Sequence, residues 1–244
     1  ELMQRPADET EGPAQAPLVL PGEWTAQWQT RWSAARDLTG LQGLFEAAFG
    51  KPISAARWHW KYRQATTWGS VVLRDDAFAA FFGGMPRTMA LGDTAVAAVQ
   101  IGDVMVKPSE RGVLSRTGPM YRSAAAFFGN MRSLYPGVQF AFGFPSRRHV
   151  ELGLKLGLYA EADAISELAW TALAPQRQWR TRTRSMPVVA VEPTAGKLAL
   201  LWQAMRHDWP GLLLRVRDAA RWQYRCAEHP DHAYQLLMFG HRWT

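Results

Sequence analysis

The sequence predicts a mixed α/β fold, in which helices pack against one sheet. Residues 69–106 contain several β-like apolar runs, and the residues after them alternate between helix-like and strand-like patterns. The chain has 244 residues, of which 48% are hydrophobic and 20% are charged, as in globular proteins. We therefore expect one domain of this class over residues 25–171. Residues 1–24 are rich in Pro, Ala, Glu and Gln and are predicted to form a flexible lead-in.

The first helix is predicted over residues 37–49, after a short strand over residues 27–33. Its apolar residues recur at i, i+3, i+4 and i+7, which places them on one helix face: Leu41, Leu44, Phe45 and Ala48. Gly50 and Pro52 form a stop signal. Residues 54–62 then allow two interpretations: a helix capped by Ser54, or a strand with Trp58, Trp60 and Tyr62 on one face.

Several β-like runs follow this ambiguous segment. They cover residues 69–74, 78–82, 87–91, 94–101 and 103–106. Gly92 and Asp93 are typical of a turn between the third run and the fourth. Pro108 ends the fifth run, because proline cannot donate to a sheet.

The strand that ends at Val106 opens the first of two strand-to-helix units. It leads through a basic loop of residues 107–117 into a predicted helix over residues 118–128. Pro119 lies in the first turn of this helix, where a missing N–H costs nothing.

The second unit begins with a predicted strand over residues 139–144. A helix that starts after Ser146 and ends at Lys155 follows, with Gly157 as its stop signal. A last strand over residues 164–170 is predicted to close the unit.

The C-terminal quarter of the chain contains a weak internal repeat. Residues 172–192 are predicted to be a basic linker, and residues 194–207 and 212–216 a helix and a short strand. The sequence Ala55-Ala56-Arg57-Trp58 recurs as Ala219-Ala220-Arg221-Trp222. We therefore predict that residues 193–244 form part of a second copy of the first domain; completion of another sheet is the alternative.

The loop after Val106 is the most informative segment for function. A strand that leads through a loop with Arg111, Gly112 and Arg116 into a helix N-terminus presents free backbone N–H groups and positive charge. This arrangement binds phosphate or pyrophosphate groups. The alternative is a solvated turn that binds nothing.

Three groups of motifs carry a resemblance to a known family: Leu44–Gly50 with Trp58–Tyr62, Val104–Pro108 with Arg111–Gly112, and Gly143–Ser146 with Lys155–Leu158. On these motifs, residues 27–170 resemble the GNAT superfamily of acyl-CoA-dependent N-acyltransferases. The resemblance implies acetyl-CoA or another acyl-CoA as co-substrate and an unidentified amine as acceptor. A catalytically inactive GNAT-like binding or regulatory module is the alternative function.

The resemblance also implies where the acyl-CoA binds. In the family, the pantetheine arm lies beside a strand that splays from its neighbour, which here is the strand of Val104, Met105 and Val106. The pyrophosphate binds to the loop and helix N-terminus that follow, which here comprise Arg111, Gly112, Val113, Leu114, Ser115, Arg116, Thr117 and Gly118. Ser146 stands where many members have Asn at the start of the next helix.

The chain departs from the family pattern at two places. Counting from Arg111, the two usual glycine positions of the phosphate loop are Leu114 and Arg116, so the loop is degenerate. Either the loop is shorter, with Gly112 and Gly118 as its flexible points, or its hold on the phosphates is weaker. The tyrosine that many members use to protonate the departing thiolate is replaced by Gly153, and Tyr159 lies nearby in sequence.

Family chemistry implies direct attack of the amine on the thioester in a ternary complex. Asp103 and Glu110 are the candidate bases, and Tyr159 is the candidate acid. A backbone N–H near Met105 or Val106 is expected to polarise the thioester carbonyl.

Composition excludes several other classes of protein. The single Cys226 rules out a disulfide framework and predicts a reducing, cytoplasmic setting. No apolar run approaches the ~20 residues of a membrane-spanning helix. The net charge of +7 fits a phosphorylated co-substrate, and neither a nucleic acid nor a membrane is expected as partner; a homodimer is compatible with the sequence. No metal site is expected, since His229-Pro230-Asp231-His232 has poor spacing for zinc.

Overall fold

The computed structural model describes residues 28–63, 65, 67–169, 171, 181–187 and 195–241. The predicted lead-in, residues 1–24, and most of the predicted linker lie outside these residues. The described strands are β1 (Gln29–Trp32), β2 (Gly69–Arg74), β3 (Ala77–Leu91), β4 (Thr94–Val106), β5 (Phe140–Phe142), β6 (Thr181–Pro187), β7 (Leu213–Arg215) and β8 (Gln235–His241). The α-helices are α1 (Leu38–Phe49), α2 (Ala55–Tyr62), α3 (Pro119–Leu134), α4 (Arg147–Leu156), α5 (Ala195–Asp208) and α6 (Ala219–Trp222).

A mixed sheet with the strand order β1-β2-β3-β4-β5 forms the centre of the fold. Its first three pairings are antiparallel, and β4 pairs with β5 in parallel. β7 extends this sheet by pairing with the far end of β3. The mixed α/β class that the sequence predicts is therefore confirmed.

Local signals place the first two helices. α1 ends at Gly50, whose φ of +71° is the left-handed conformation that glycine adopts at little cost. The Ser54 side chain accepts a hydrogen bond from the Arg57 N–H, which caps α2. This cap decides between the two interpretations of residues 54–62, and the segment is helical.

The two faces of the sheet bury different clusters. Phe81 packs with Trp58 and Tyr62 of α2 on one face, whereas the adjacent Phe82 packs with Phe127 of α3 on the other. Successive residues of a strand point to opposite faces, so β3 connects both cores. We refer to these faces as the α2 face and the α3 face.

The strands of the central hairpin are longer than predicted. The runs over residues 78–82 and 87–91 join into the single strand β3, because Gly83 to Pro86 stay in the antiparallel ladder with β4. The runs over residues 94–101 and 103–106 also join, as β4.

The prediction of a final strand over residues 164–170 is wrong for its described part. Residues 158–169 have no regular secondary structure. Ile165 and Leu168 are 76% and 78% exposed. The apolar residues of this segment thus resemble a strand in sequence, but the described part of the segment pairs with no other described strand.

The C-terminal segment forms a two-stranded sheet of its own and adds β7 to the central sheet. β6 lies in the predicted linker and pairs antiparallel with β8, so residues 181–187 are a strand rather than a connection. α5 and α6 lie between these strands in sequence. The order strand, helix, helix, strand at residues 29–74 recurs at residues 181–241 with β7 inserted between the two helices, and a second domain copy stays a prediction.

The two repeated helical segments contact each other reciprocally. Trp60 of α2 donates its Nε1–H to the carbonyl oxygen of Tyr224, 2.8 Å away. Tyr224, in the π-helical turn Gln223–Ala227 after α6, donates its hydroxyl to the carbonyl oxygen of Trp60 at 2.7 Å. Their rings stack at 5.2 Å. The C-terminal segment is thereby fixed against the α2 face.

Candidate active site

The parallel strands β4 and β5 separate after three paired residues. Their ladder runs from Ala98 and Phe140 to Gln100 and Phe142. Beyond it, Gly143 to Ser146 form no ladder, and the chain leaves the sheet. A wedge therefore opens between the second half of β4 and the start of α4.

A β-bulge lies in β4 at the mouth of this wedge. The pairing with β3 shifts between Gly102 and Met105, and Asp103 has a positive φ of 51°. A positive φ is uncommon for any residue except glycine, and bulges re-aim side chains next to active sites. Here the bulge directs the Asp103 side chain onto α2.

Asp103 is held by two residues of α2. Lys61 Nζ lies 2.6 Å from Oδ1 of Asp103, and the Tyr62 hydroxyl donates to Oδ2 at 2.8 Å. The Asp103 side chain is 9% exposed and that of Lys61 20% exposed. Burial, together with the neighbouring Asp103 charge, holds the pKa of the Tyr62 hydroxyl well above its usual value, so Tyr62 stays a proton donor to the carboxylate.

Gly83 on β3 provides the space for this arrangement. A Cβ atom at Gly83 would lie 2.4 Å from the Tyr62 hydroxyl oxygen and 2.5 Å from the carbonyl oxygen of Gly102. No side chain fits at such distances. Gly83 lies between the β-like runs predicted over residues 78–82 and 87–91, so its role in the site was missed.

The backbone of β4 is open toward the wedge. The Lys107 N–H donates to Ala79 of β3, and successive peptide groups of a strand point in alternate directions. The peptide groups of Val104 and Val106 therefore face the wedge, whereas Met105, which is 1% exposed, packs its side chain in the core of the α2 face.

The loop after β4 folds back on the N-terminus of α3. The carbonyl oxygen of Val113 would lie 2.1 Å from a Cβ at Gly118, so only glycine permits this approach. The Ser115 and Thr117 hydroxyls are 2.7 Å apart. Residues 111–117 are exposed, including the apolar side chains of Val113 and Leu114. The first turn of α3 therefore opens beside an accessible loop.

The two arginines of the loop differ in their contacts. Arg111 donates from Nε to the Val106 carbonyl at 3.1 Å and from Nη2 to the Ala48 carbonyl at 3.0 Å. It therefore links β4 to the end of α1. Arg116 is exposed and lies over the ring of Tyr121 in the first turn of α3, with its Cζ 5.9 Å from the ring centre. Of the two, Arg116 is better placed for an anion at the helix N-terminus.

Arg122 is a loop-positioning residue that sequence reasoning missed. It is 1% exposed, and its Nε donates to the Thr117 carbonyl at 2.8 Å. It thus fixes the end of the loop where α3 begins. The signal was weak, because an arginine in an apolar helix face is ordinarily interpreted as solvated.

Glu110 lies away from Asp103. It follows β4 in the 3₁₀ turn Pro108–Glu110 and pairs with Arg74, 3.3 Å away. Lys107, the residue before this turn, is four positions along the chain from Asp103, which corresponds to about 13 Å in a strand. The structure therefore separates the two candidate bases, and Asp103 is the one beside the bulge.

Tyr159 lies against α4 and contacts His149. The Tyr159 hydroxyl and His149 Nε2 are 3.1 Å apart. Burial raises the pKa of Tyr159 to about 12 and lowers the pKa of His149. The phenol therefore keeps its proton at neutral pH, and His149 is neutral.

The other helix-start residue, Ser146, is the N-cap of α4. Its side chain makes no capping hydrogen bond and is exposed. It lies where the chain leaves the wedge, so its hydroxyl is open to a ligand there.

Asp103 and Tyr159 approach the wedge from opposite faces of the sheet. Asp103 contacts α2, whereas Tyr159, like Ile101 and Val104 of β4, packs against the cluster on the α3 face. A carboxylate and a phenol thus lie on opposite faces of the sheet at the free part of β4.

Residues 30–152 match the family model described as an acetyltransferase (GNAT) domain. This match spans half of the chain. The chain belongs to the GNAT acetyltransferase family. The resemblance seen in the sequence motifs is thus confirmed, and the splayed strand and the loop before α3 lie within the matched GNAT region.

Solved acetyltransferase structures are similar to this chain. An acetyltransferase from Trypanosoma brucei is 19% identical, with 58% of this chain and 99% of that chain covered and a TM-score of 0.44. Glucosamine-6-phosphate N-acetyltransferase from Arabidopsis thaliana is 15% identical, with 58% and 97% covered and a TM-score of 0.44. A Brucella melitensis GNAT acetyltransferase in complex with acetyl-CoA is 16% identical, with 51% and 80% covered and a TM-score of 0.38. No protein with a curated description matches the chain.

Two further features concern the residues outside the wedge. Within the part of the chain that the structure describes, no group of three or more His, Cys, Asp or Glu residues could hold a metal ion. Nδ1 of His229 instead accepts the backbone N–H groups of Asp231 and His232 at 3.1 and 3.2 Å. None of the described helices is long and apolar enough to cross a membrane.

Proposed function

We propose that this GNAT domain transfers the acyl group of acetyl-CoA, or of a related acyl-CoA, to an amine by direct attack in a ternary complex. Membership of the GNAT acetyltransferase family supports acyl transfer to amines in general. The observation that carries the finer proposal is the separation of β4 from β5 beside the bulge at Asp103.

The free edge of β4 offers hydrogen bonds to the pantetheine arm. The outward peptide groups of Val104 and Val106 supply donors and acceptors, as a neighbouring strand would require. Arg111 already occupies the Val106 carbonyl, which leaves the N–H of Val106 and both groups of Val104. These N–H groups are also the donors nearest to a thioester carbonyl in the wedge.

The N-terminus of α3 is the proposed pyrophosphate site. Pro119 has no N–H, so the N–H groups of the first turn that lack an acceptor within the helix belong to Met120 and Tyr121. Arg116 adds a positive charge beside Tyr121. A helix N-terminus and an arginine together favour a phosphate group, in agreement with the segment chosen from the sequence.

In this proposal one side chain accepts a proton during the reaction and another donates one. Asp103 is the proposed acceptor of the amine proton, since it is the acidic group beside the bulge and its carboxylate is oriented by Lys61 and Tyr62. Tyr159 is the proposed donor to the departing thiolate, since its phenol is protonated at neutral pH. Glu110 has no role in this scheme because it pairs with Arg74 away from the bulge.

Calorimetric titration with acetyl-CoA and CoA, followed by a thiol-release assay over a panel of amines, tests the proposal. We expect binding of both ligands and amine-dependent thiol release. Binding without thiol release from any amine would favour the inactive binding module. Absence of binding at millimolar ligand would refute both functions.

Two variants test whether Arg116 contributes to the proposed phosphate site. Arg116→Ala is expected to weaken CoA binding by ~1–3 kcal/mol, the cost of a lost charged hydrogen bond. Arg132→Ala removes an exposed arginine of α3 far along the helix and is the matched control. Equal CoA affinities of the two variants would remove Arg116 from the site.

A further inference from the structure

Four arginine side chains gather on the α2 face beside the wedge. They are Arg87 of β3, Arg215 of β7, and Arg221 and Arg225 of the α6 region, and we call them the four-arginine cluster. Gln100 of β4 accepts from Arg87 Nε at 2.9 Å and from Arg215 Nη1 at 3.3 Å through the same Oε1 atom. The guanidinium charges of Arg87 and Arg215 each interact with those of Arg221 and Arg225.

No carboxylate lies within ion-pair distance of the four-arginine cluster in the described part of the chain. None of its members forms an ion pair there. Nearby carboxylates are bound by other cations, as Arg57 pairs with Asp231 and Arg63 with Glu228. Asp218 accepts the backbone N–H of Arg221 rather than its guanidinium.

This concentration of positive charge is partly buried. Arg87, Arg215 and Arg221 are all half-buried, whereas Arg225 is exposed and lies over Trp60. Burial and the neighbouring guanidinium groups lower the pKa of Arg87 to about 10 and that of Arg215 to about 9. Half-buried like charges destabilise a fold, and such clusters in clefts mark functional sites.

The position of Gln100 places the four-arginine cluster next to the proposed reaction centre. Gln100 is the last residue of β4 that pairs with β5, and Asp103 follows three residues later, within about 10 Å along the strand. The Arg87 charge also acts on Tyr62, whose hydroxyl contacts Asp103. The arginines and Asp103 therefore lie on the same face of the sheet.

We propose that the four-arginine cluster binds an anionic group of the acceptor, so that the acceptor is an amine that also carries a carboxylate or a phosphate. The planar guanidinium fork suits both groups. Asp103 would hold the amine, and the arginines would hold the anionic group on the same face of the sheet. This inference rests on the proposed acyltransferase function.

Three of the four arginines come from outside the matched GNAT region, which ends at residue 152. β7 brings Arg215 to the far end of β3, and the contact between Trp60 and Tyr224 holds the α6 region in place. The C-terminal segment therefore supplies most of the proposed acceptor site.

Acceptor pairs that differ only in the anionic group provide the first test. Thiol release from acetyl-CoA is measured with phosphoethanolamine against ethanolamine, and with amino acids against their amides. In the wild-type chain we expect kcat/KM to be about tenfold or more higher for the anionic member of at least one pair. The two sets distinguish phosphate from carboxylate. Equal or reversed preference in every pair would overturn the inference.

Substitution within the four-arginine cluster provides the second test. Arg215→Gln and Arg221→Gln are each expected to abolish the preference for the anionic acceptor while leaving the affinity for acetyl-CoA unchanged. Their unfolding midpoints should stay equal or rise, because a repelling charge is removed. Arg132→Gln makes the same change of net charge on the exposed end of α3 and should keep the preference. A preference that survives both cluster substitutions would contradict the inference.

Direct anion binding separates this inference from the proposed function. Calorimetric titration of the full chain with inorganic phosphate and with malonate needs no turnover. Binding in the millimolar range that Arg215→Gln removes and Arg132→Gln retains supports the anion site, even if no amine is acetylated. Failure of both anions to bind the wild-type chain would overturn it, even if acetyl-CoA is bound and consumed.

Discussion

The ring of Tyr159 occupies the space of a side chain at Gly153. A Cβ atom at Gly153 would lie 1.8 Å from Cδ2 of Tyr159. Gly153 is the position at which the family resemblance places a catalytic tyrosine. The chain thus lacks that tyrosine but brings another phenol onto the same part of α4, from a residue that follows the helix.

Gly153→Ala tests this relationship. The clash with the Tyr159 ring is expected to cost about 1–3 kcal/mol of unfolding free energy, which outweighs the helix gain of about 1 kcal/mol from alanine. Gly129→Ala in α3 is the matched control, since a Cβ at Gly129 would meet nothing within 4 Å. Urea unfolding of both variants measures the difference. A Gly153→Ala variant as stable as Gly129→Ala would contradict the packing described.

Tyr159→Phe is expected to lower kcat by about 10²–10⁴-fold, the usual worth of a general acid, with little change in the KM for acetyl-CoA. Because burial raises the pKa of Tyr159 to about 12, wild-type kcat should show no alkaline loss from this group up to about pH 10. Steady-state kinetics across pH measure both effects.

Tyr135→Phe is the control for this substitution. The Tyr135 phenol is also buried, but it donates to the Thr67 carbonyl at 3.1 Å, away from the wedge. The kcat of the Tyr135→Phe variant should stay within about twofold of that of the wild type. A Tyr159→Phe enzyme with equally unchanged kcat would leave Tyr159 without a catalytic role.

The interactions of the Asp37 carboxylate make the stability of the fold depend on pH in the acid range. Arg31 Nη1 and Nη2 lie 2.6 and 2.9 Å from its carboxylate, and the Ala34 N–H donates to it at 2.8 Å. Burial alone would raise the pKa of Asp37, but these hydrogen bonds bring it below its ordinary value. The resulting stabilisation is fully present above the unfolded pKa of about 3.9 and is lost as pH falls through the lower folded pKa.

Asp37→Asn is therefore expected to destabilise the chain at neutral pH and to flatten the acid limb of the stability curve. The loss should be about 1–3 kcal/mol, toward the lower end because solvent reaches Arg31, whose side chain is 35% exposed. Urea unfolding at several pH values measures it. The ordinary pKa of an Asp side chain is about 4. If the variant and the wild type lose stability in parallel below about that pH, the ion pair of Arg31 with Asp37 is not the cause of the acid loss of stability.

Gly83→Ala tests the support of Asp103. The new methyl group would meet the Tyr62 hydroxyl and the Gly102 carbonyl, so we expect a loss of about 1–3 kcal/mol in unfolding free energy. The thiol-release rate should fall with it, since Tyr62 orients Asp103. Gly112→Ala, with nothing within 4 Å of its Cβ, should leave stability unchanged. Equal stability of the two variants would contradict the close approach at Gly83.

Local signals in the sequence predicted the first half of the fold well. The periodicity of Leu41, Leu44 and Phe45 and the stop at Gly50 correspond to α1 and its C-terminus. Such features depend on neighbours in sequence, which is why they are visible without a structure. The same holds for the turn at Gly92, where φ is +54°.

Features that depend on distant partners were not predictable in this way. The apolar residues Ile165 and Leu168 suggest a strand, but a strand needs a free sheet edge, and none pairs with this segment. The sequence also gives no sign that Asp103 meets Lys61, because the bulge that turns it toward α2 depends on the register of β3 and β4. Arg215 and Gln100 are 115 residues apart and meet only because β7 joins β3.

The contact between Trp60 and Tyr224 joins two stretches of the chain that have different proposed roles. Residues 98–118 hold the proposed donor machinery, whereas residues 213–225 supply three arginines of the proposed acceptor site. Under the proposed function, substitutions in the later stretch change the choice of amine without altering the acyl donor. Descendants of this chain could thus diversify in substrate while keeping one cosubstrate, as long as the two mutual hydrogen bonds between Trp60 and Tyr224 persist.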